Sequence, residues 1–425
     1  MSENNIKKIS FLENSLNYLT VFIVFSGAFV FQTNRFFEMR AAYFVMGLVL
    51  FFWLPIMKDI VFNKIFFIPF FLLVFLSLYN VYLGFDSLSL LVKQAIGICV
   101  NAIWFYMFIK INRYDIKRLF RIYLNIAFII ALIGIIQESS YLLQFRPGYD
   151  YSAFLPFWTF YPTGNFIRVN SICSEPASFC IAIMPALFAS FCSLMDRENR
   201  MIGKIRSVVI ITAFILSFSS TGYLGLIITF FIILINYMKI RHTLVILVSG
   251  AMFLFLAFQN SIDFRTRVVD SVSVLSSKTT LDKVNLSTFA LYNNALIVYG
   301  SFKAKPFIGS GLGSHELNYE KYTYKIPRIE RGVDYVNNQD AASLFLRLLS
   351  ETGILGVTLF IFFLAKYYMK KQAYPVDLWV INNAIFVFFV VRLLRAGHYF
   401  TEGLFLFFWM YYFSKVISMQ RYRNT

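Results

Sequence analysis

The chain has 425 residues, of which 59% are hydrophobic, 20% aromatic and only 14% charged, with a net charge of +17 and a mean hydropathy of +0.66. Soluble domains carry roughly 25% charged residues, so this composition excludes a string of soluble domains and describes a polytopic membrane protein. The excess of basic residues is no sign of a nucleic-acid partner, because in a membrane chain the location of basic residues matters more than their sum.

Met1 to Ser15 is polar and shows no signal peptide, and the first apolar run is long enough to remain as a span. Apolar runs of about the length that crosses a bilayer recur along the chain. They predict helices near 16–32, 41–57, 65–83, 90–109, 118–138, 176–195, 206–220, 222–238, 242–259, 341–365, 377–393 and 402–418. The fold class is therefore all-α and polytopic, with about twelve transmembrane helices, both termini on one side and a large loop before the tenth span. The pair 206–220 and 222–238 is short and broken at Phe218-Ser-Ser-Thr-Gly222; reading it as two spans puts Arg206 and Lys239 on one side.

Basic residues give the orientation. With the N-terminus inside, the inside segments collect Lys7, Lys8, Lys58, Lys64, Lys110, Arg113, Lys117, Arg118 and Arg121, then Arg197, Arg200, Lys204, Lys366, Lys370 and Lys371. The short outside segments offer Arg35, Arg40, Lys93 and Arg395. That asymmetry places both termini in the cytoplasm. Two outside segments are long, 139–175 and 260–340, and the second holds an apolar stretch from Phe289 to Tyr299 suited to a helix lying over the membrane face. A loop of that length in a compact bundle is usually functional.

Polar clusters gather on the outside face. The first is Arg168-Val-Asn170-Ser-Ile-Cys-Ser174-Glu175-Pro176-Ala-Ser178, where Pro176 suits a first helical turn and makes Glu175 or Ser174 the cap. Unpaired N–H groups at such an end attract anions. The second is Ser217 to Gly222, most simply a tight turn. The third holds Arg265, Gly309-Ser-Gly311-Leu-Gly313, Asn338 and Asp340, followed by Arg347 and Glu351 four residues apart on one helix face. Gly309 to Gly313 resembles a phosphate cradle but reads more simply as a turn. The fourth is Arg392-Leu-Leu-Arg395-Ala-Gly-His398-Tyr399; its arginines could simply snorkel at a helix end. Cys99, Cys173, Cys180 and Cys192 lack metal-ligand spacing, as do His242, His315 and His398, and Cys173 and Cys180 on one helix stand about 10 Å apart, too far for a disulfide.

Arg168-x-x-Ser-x-x-Ser-Glu175-Pro176-x-Ser178 resembles the Arg…Glu-Pro-Ser signature of Wzy-type polymerases of O-antigen and capsular repeat units. Pro306 to Gly313, then Ser343-x-Phe345…Glu351-x-Gly353-x-x-Gly356, is similar to the carboxyl half of the same superfamily, which includes O-antigen ligases, and Arg395-x-Gly397-x-Tyr399 fits its last outside loop. The ligase signature begins with a histidine where this chain has Ala342, which argues against a ligase. An arginine that relatives carry after Asp-x-Ser in the second loop is replaced here by Leu291.

The resemblance implies polymerisation of undecaprenyl-pyrophosphate-linked oligosaccharides on the periplasmic face of the bacterial inner membrane, with neither metal nor other cofactor. For that chemistry the position and type of the residues make Glu175 the candidate catalytic residue, with His398 in reserve, and Arg168, Asn170, Arg265, Asn338, Asp340, Arg347, Arg395 and Tyr399 the candidate substrate-binding residues. The implied partners are the lipid-linked oligosaccharide, a chain-length regulator and membrane lipid. A lipid-linked oligosaccharide flippase is the rival from another class, but flippases tend to show repeated halves and midplane charges, whereas this chain has unequal halves. For the topology, a cysteine at Ser276 is expected to react with an impermeant thiol reagent in intact spheroplasts while Lys371→Cys stays protected; the reverse labelling would invert the orientation.

Overall fold

The computed structural model describes residues 3–33, 38–53, 67–196, 200–237, 284–323, 336–371 and 374–423, with isolated positions between 252 and 273. The helices are α1 (Glu3–Phe22), α2 (Ala41–Trp53), α3 (Phe67–Tyr82), α4 (Leu88–Ile111), α5 (Ile116–Leu142), α6 (Pro176–Met195), α7 (Lys204–Leu216), α8 (Ser220–Tyr237), α9 (Leu286–Ala304), α10 (His315–Thr323), α11 (Leu344–Tyr367), α12 (Val376–Arg395) and α13 (Leu404–Arg423). Of these, α4, α5, α6, α11 and α12 are long and apolar enough to cross a membrane, and α2, α3 and α8 are shorter apolar helices. The span expected over 242–259 lies outside the described residues apart from isolated positions.

The expected first span, 16–32, is not a single helix. α1 ends at Phe22, a 3₁₀ turn follows, and Val30–Thr33 (β1) pairs antiparallel with Glu38–Arg40 (β2). An apolar run does not by itself separate helix from strand. The loop after α5 also starts later than the expected 139, because α5 runs on to Leu142. A second ribbon, Pro162–Thr163 (β3) with Phe166–Ile167 (β4), folds within it. The apolar stretch from Phe289 to Tyr299 forms part of α9.

The core is built on α6 and α12. Phe188 packs on Trp379, with ring centroids 5.9 Å apart, and Met184 and Val391 meet against Gly225. Residue numbers rise on α6 as they fall on α12, so the two run antiparallel and bring the start of α6 beside the end of α12. Pro185 removes an N–H from the middle of α6. The Tyr123 hydroxyl of α5 enters the helix there, donating to the Ala182 carbonyl at 2.8 Å and accepting from the Ala186 N–H at 3.3 Å. In a dry core such a break must be satisfied by a neighbour.

At the opposite end of the bundle Lys117, at the start of α5, pairs with Asp377 at the start of α12, and Arg206 reaches Asn125. The basic helix ends thus gather at one end and the polar motifs at the other.

One break positions the site. Gly353 leaves helical geometry inside α11 at φ +61°, a conformation that favours glycine. The loop after α9 enters that break and supplies the missing partners. Ile354 and Leu355 N–H donate to the carbonyls of Pro306 and Phe307, while Ser310 and Gly311 N–H donate to those of Ser350 and Glu351. A Cβ at Gly353 meets the Phe307 backbone at 2.6 Å, and one at Gly309 meets the Glu351 backbone. Gly353→Ala is expected to destabilise the protein by about 2 kcal/mol or more, read as a lower midpoint of thermal unfolding in detergent; an unchanged midpoint would remove the break from the fold's requirements.

Candidate active site

The four polar clusters fold into two neighbouring assemblies at one end of the bundle. The first joins the loop before α6 to the α7–α8 turn. Val169 N–H donates to the Leu216 carbonyl, and Cys180 Sγ lies 2.9 Å from Ser217 Oγ. Asn170 is the tie of this loop: its amide bonds Gln137 on α5 (3.1 Å) and the carbonyls of Thr159 and Cys173. Ser171 donates to the Ile130 carbonyl, and Trp158 Nε1 donates to the Ser171 carbonyl. Asn170 is buried with its amide engaged inside the protein, so it scaffolds the loop.

Arg168, next to this tie, is buried under the Tyr161 ring with its Nε lacking a hydrogen-bond partner, and among the described residues it forms no ion pair. Glu175 stands at the N-cap of α6, exposed, in extended backbone and without using its side chain to cap the helix. The cap position follows from Pro176 as read from the sequence.

The second assembly is built around Arg347 and Glu351 of α11, which are 2% and 1% exposed. Arg347 Nε meets Glu351 Oε1 at 2.8 Å, so the pairing expected from their spacing is present. Tyr399 donates to Glu351 Oε2 at 2.8 Å, and the guanidinium carbon of Arg347 sits 3.9 Å above its ring. Burial and the adjacent Glu351 push the Tyr399 phenol well above its ordinary range, which keeps it a donor. Arg347 also donates to the Gly397 carbonyl at 3.1 Å.

Sequence reasoning treated Arg392 only as a snorkelling cation and left Glu402 unmentioned. Arg392 is fully buried and pairs with Glu402 at 2.6 Å, donating as well to the carbonyls of Thr401 and His398. No short-range periodicity links residues ten apart across a loop, so the pair leaves no signal in the sequence. The Arg395 side chain, one turn further at the end of α12, forms no ion pair with the described residues.

His398 is held at both ring nitrogens. Nδ1 accepts from the Phe400 N–H at 3.1 Å, and Nε2 lies 3.0 Å from the Arg40 guanidinium. Burial and the charges of Arg40, Arg347, Arg392 and Lys93 push it well below the ordinary imidazole range. It is therefore neutral and engaged, and Arg40 is a neighbour that the sequence did not reveal.

Asp340 accepts from the Asn337 side chain and the Ala342 N–H, and burial raises its carboxyl against the opposing pull of Arg347. Asn337, Ala341 and Ala342 all have positive φ, so this turn carries backbone strain. Asn338 is half-buried in the same turn. Arg265 is exposed, in a segment of which only isolated positions are described.

Gly309 to Gly313 does not form an anion cradle. The N–H groups of Ser310 and Gly311 bond to α11, that of Leu312 bonds to Ser77 at 3.0 Å, and Gly313 abuts Leu90 and Gln94. Its glycines answer close packing. Gly311 lies against Asp86, whose Oδ2 is buried without a partner and whose carboxyl burial pushes up to about 8, with Glu351 adding to the rise.

Fold and site together define a multi-pass membrane protein with a charge cluster confined to one end of its bundle. Residues 206–361 match the family model of the O-antigen ligase domain, Wzy_C. That stretch, from α7 into α11, is similar to the domain, in keeping with the resemblance read from the sequence to the O-antigen ligase/polymerase superfamily. Comparison with curated proteins returned no match.

Removing one member of a buried ion pair strands the other charge, so Arg347→Ala is expected to destabilise the fold by about 3–5 kcal/mol. Arg347→Met with Glu351→Leu and Tyr399→Phe removes every member and should recover most of that loss in thermal unfolding. A triple variant as unstable as the single one would show that packing, not charge, sets the penalty.

Proposed function

We propose that the protein is a glycosyltransferase that polymerises lipid-linked oligosaccharide repeat units at the periplasmic face of the inner membrane. The observation that carries this reading is the division among its arginines. Arg347 and Arg392 are neutralised by Glu351 and Glu402, whereas Arg168 and Arg395 form no ion pair with any described residue. Planar cations at the mouth of a bundle suit the oxygens of a membrane-anchored pyrophosphate.

In the reaction, a hydroxyl oxygen of the acceptor repeat unit attacks the anomeric carbon of the donor chain. The bond from that carbon to the pyrophosphate oxygen breaks, and the lipid pyrophosphate leaves with the bonding electrons, its charge held by Arg168 and Arg395. The hydroxyl proton passes to a carboxylate, and Glu175 is the candidate because it is exposed at the same face. A helix N-terminus lowers carboxylate basicity, while desolvation by a bound sugar raises it. The required base strength therefore arises only in the loaded site.

Ligation of finished polymer to a lipid A core is the second reading, supported by the description of the matched family. Ala342, where the ligase signature has histidine, counts against it. Arg168→Lys keeps the charge and loses the fork, so a substantial drop in polymer is expected at unchanged protein level. Glu175→Gln should abolish chain growth. Wild-type polymer from Arg168→Ala, Arg395→Ala and Glu175→Gln would overturn the assignment, and polymer accumulating on its lipid carrier beside bare core in a deletion strain would point to the ligase.

A further inference from the structure

α5 supplies a ruler for depth in the membrane. Its exposed residues Ile129, Leu132, Ile136 and Ser139, with Leu143 at its C-cap, recur at helical spacing and form one outward stripe. The helix is long and apolar enough to cross a membrane, so this stripe faces hydrocarbon. From the exposed Arg121 to Leu142 the rise is about 30 Å at 1.5 Å per residue, the thickness of a bilayer's hydrocarbon core. With Arg121 at one surface, Leu142 and Leu143 stand at the other. Any tilt of the helix only brings them deeper.

The apolar surface continues past that boundary. Leu143 is 80% exposed, and the loop after it adds Phe145, Phe154 (78% exposed) and Phe157. Between Ser139 and Ile167 the sole charges in the sequence are Arg146 and Asp150, which pair with each other at 3.1 Å. The loop is folded to turn these apolar side chains outward. Leu155 and Trp158, beside them, are buried against Ala28, two residues before β1. Backbone turns fix the alternation: Leu155 N–H donates to the Tyr151 carbonyl and Trp158 N–H to the Leu155 carbonyl. In β1 itself, Phe31 is 65% exposed and meets Phe44 of the apolar helix α2 edge-on, with ring centroids 5.5 Å apart. Arg40 of β2 bonds to His398, so this ribbon stands at the same end of the bundle as the charge cluster. The lipid-facing sides of α2 and α5 thus both run on into exposed phenylalanines of the segments that cover that end.

The side chains say what covers this surface. A saccharide needs polar partners beside the rings it stacks on, and here the rings with polar atoms are turned inward. Trp158 Nε1 donates to the Ser171 carbonyl, Tyr151 packs on Trp158 at 5.6 Å and Tyr149 on Phe160 at 5.7 Å. What faces out is phenylalanine and leucine, which carry no hydrogen-bonding atom. Such a surface, free of net charge and continuous with two lipid-facing helices, matches the boundary between head groups and acyl chains.

We infer that the loop from Leu142 to Trp158 and the β1 ribbon form a collar immersed in the leaflet on the side of the site, with Leu143, Phe145, Phe154, Phe157 and Phe31 against phospholipid. The Arg146–Asp150 pair then lies one turn further out, at the level of the head groups. The collar holds one edge of the site at a set height, because Asn170 ties the next residue of the loop, Thr159, by its carbonyl to the segment that carries Arg168. This seating does not depend on the glycosyl-transfer reading.

The test uses the full-length protein in nanodiscs of phosphatidylcholine brominated either near the carboxyl end or near the methyl end of its chains. A fluorescent amino acid replaces Phe154, Phe157 or, as a reference inside the span, Leu132, which lies about 15 Å below Leu142. Bromine near the carboxyl end should quench the labels at 154 and 157 roughly twofold or more over bromine near the methyl end, and Leu132 should show the opposite order. Phe154→Asp should cut the quenching at position 157 by roughly twofold or more, while Phe154→Leu leaves it unchanged. If the aspartate variant does not fold, the depth order decides alone.

Strong quenching at Leu132 with none at 154 and 157 would place the collar in water and overturn the inference. A benzophenone side chain at Phe154 or Phe157, illuminated in native membranes, should give phospholipid adducts. Saccharide adducts in their place would make the loop a carbohydrate platform, and adducts to another protein would make it a docking face; either result overturns the membrane assignment.

Discussion

A guanidinium and a carboxylate sealed inside a transmembrane helix are tolerable only if every polar atom around them has a partner. The Arg347–Glu351 pair meets that condition by recruiting its surroundings. Tyr399 completes the carboxylate, the Gly397 carbonyl completes the guanidinium, and the interrupted backbone beside Glu351 is completed by the loop that follows α9. The last outside loop, the turn before α11 and the glycine loop are therefore held by one buried ion pair. Gly397 transmits the constraint furthest: it fits against the Asp340 and Ser343 carbonyls with no room for a Cβ.

The four arginines differ in their surroundings. Arg347 and Arg392 are each held by a carboxylate and by carbonyls of the loop from Gly397 to Glu402. Arg168 and Arg395 sit on the edges of that framework with positive charge that no described carboxylate cancels. An arginine without a carboxylate partner in a low local dielectric attracts anions more strongly than one in water.

Much of the scaffold was legible because it rests on local rules. Pro176 marked the start of α6, the four-residue spacing of Arg347 and Glu351 gave their contact, and the apolar runs marked most helices. What stayed hidden depends on contacts between distant residues. Arg392 and Glu402 meet across a turn, Arg40 meets His398 from the other end of the sequence, and Asp86 is buried only because Gly311 folds onto it. The glycine loop was ambiguous for a related reason: glycine permits both anion cradles and tight packing, and only the location of its N–H partners separates them. The bonds of Asn170 to α5 and to its own loop, which tie that segment down, also left no mark in the sequence.

The turn that leads into α11 contains Asn337, Ala341 and Ala342 in left-handed backbone, each at a cost of about 1 kcal/mol. Local hydrogen bonds from the Asn337 side chain and the Ala342 N–H to Asp340 hold that shape, and Gly397 packs against the Asp340 carbonyl from the loop after α12. Strained segments held by remote contacts lie at the low end of a protein's stability distribution. The strain at this edge of the site is thus maintained by its contacts, so loosening either the Asp340 hydrogen bonds or the Gly397 packing relaxes the turn before it disturbs the helices.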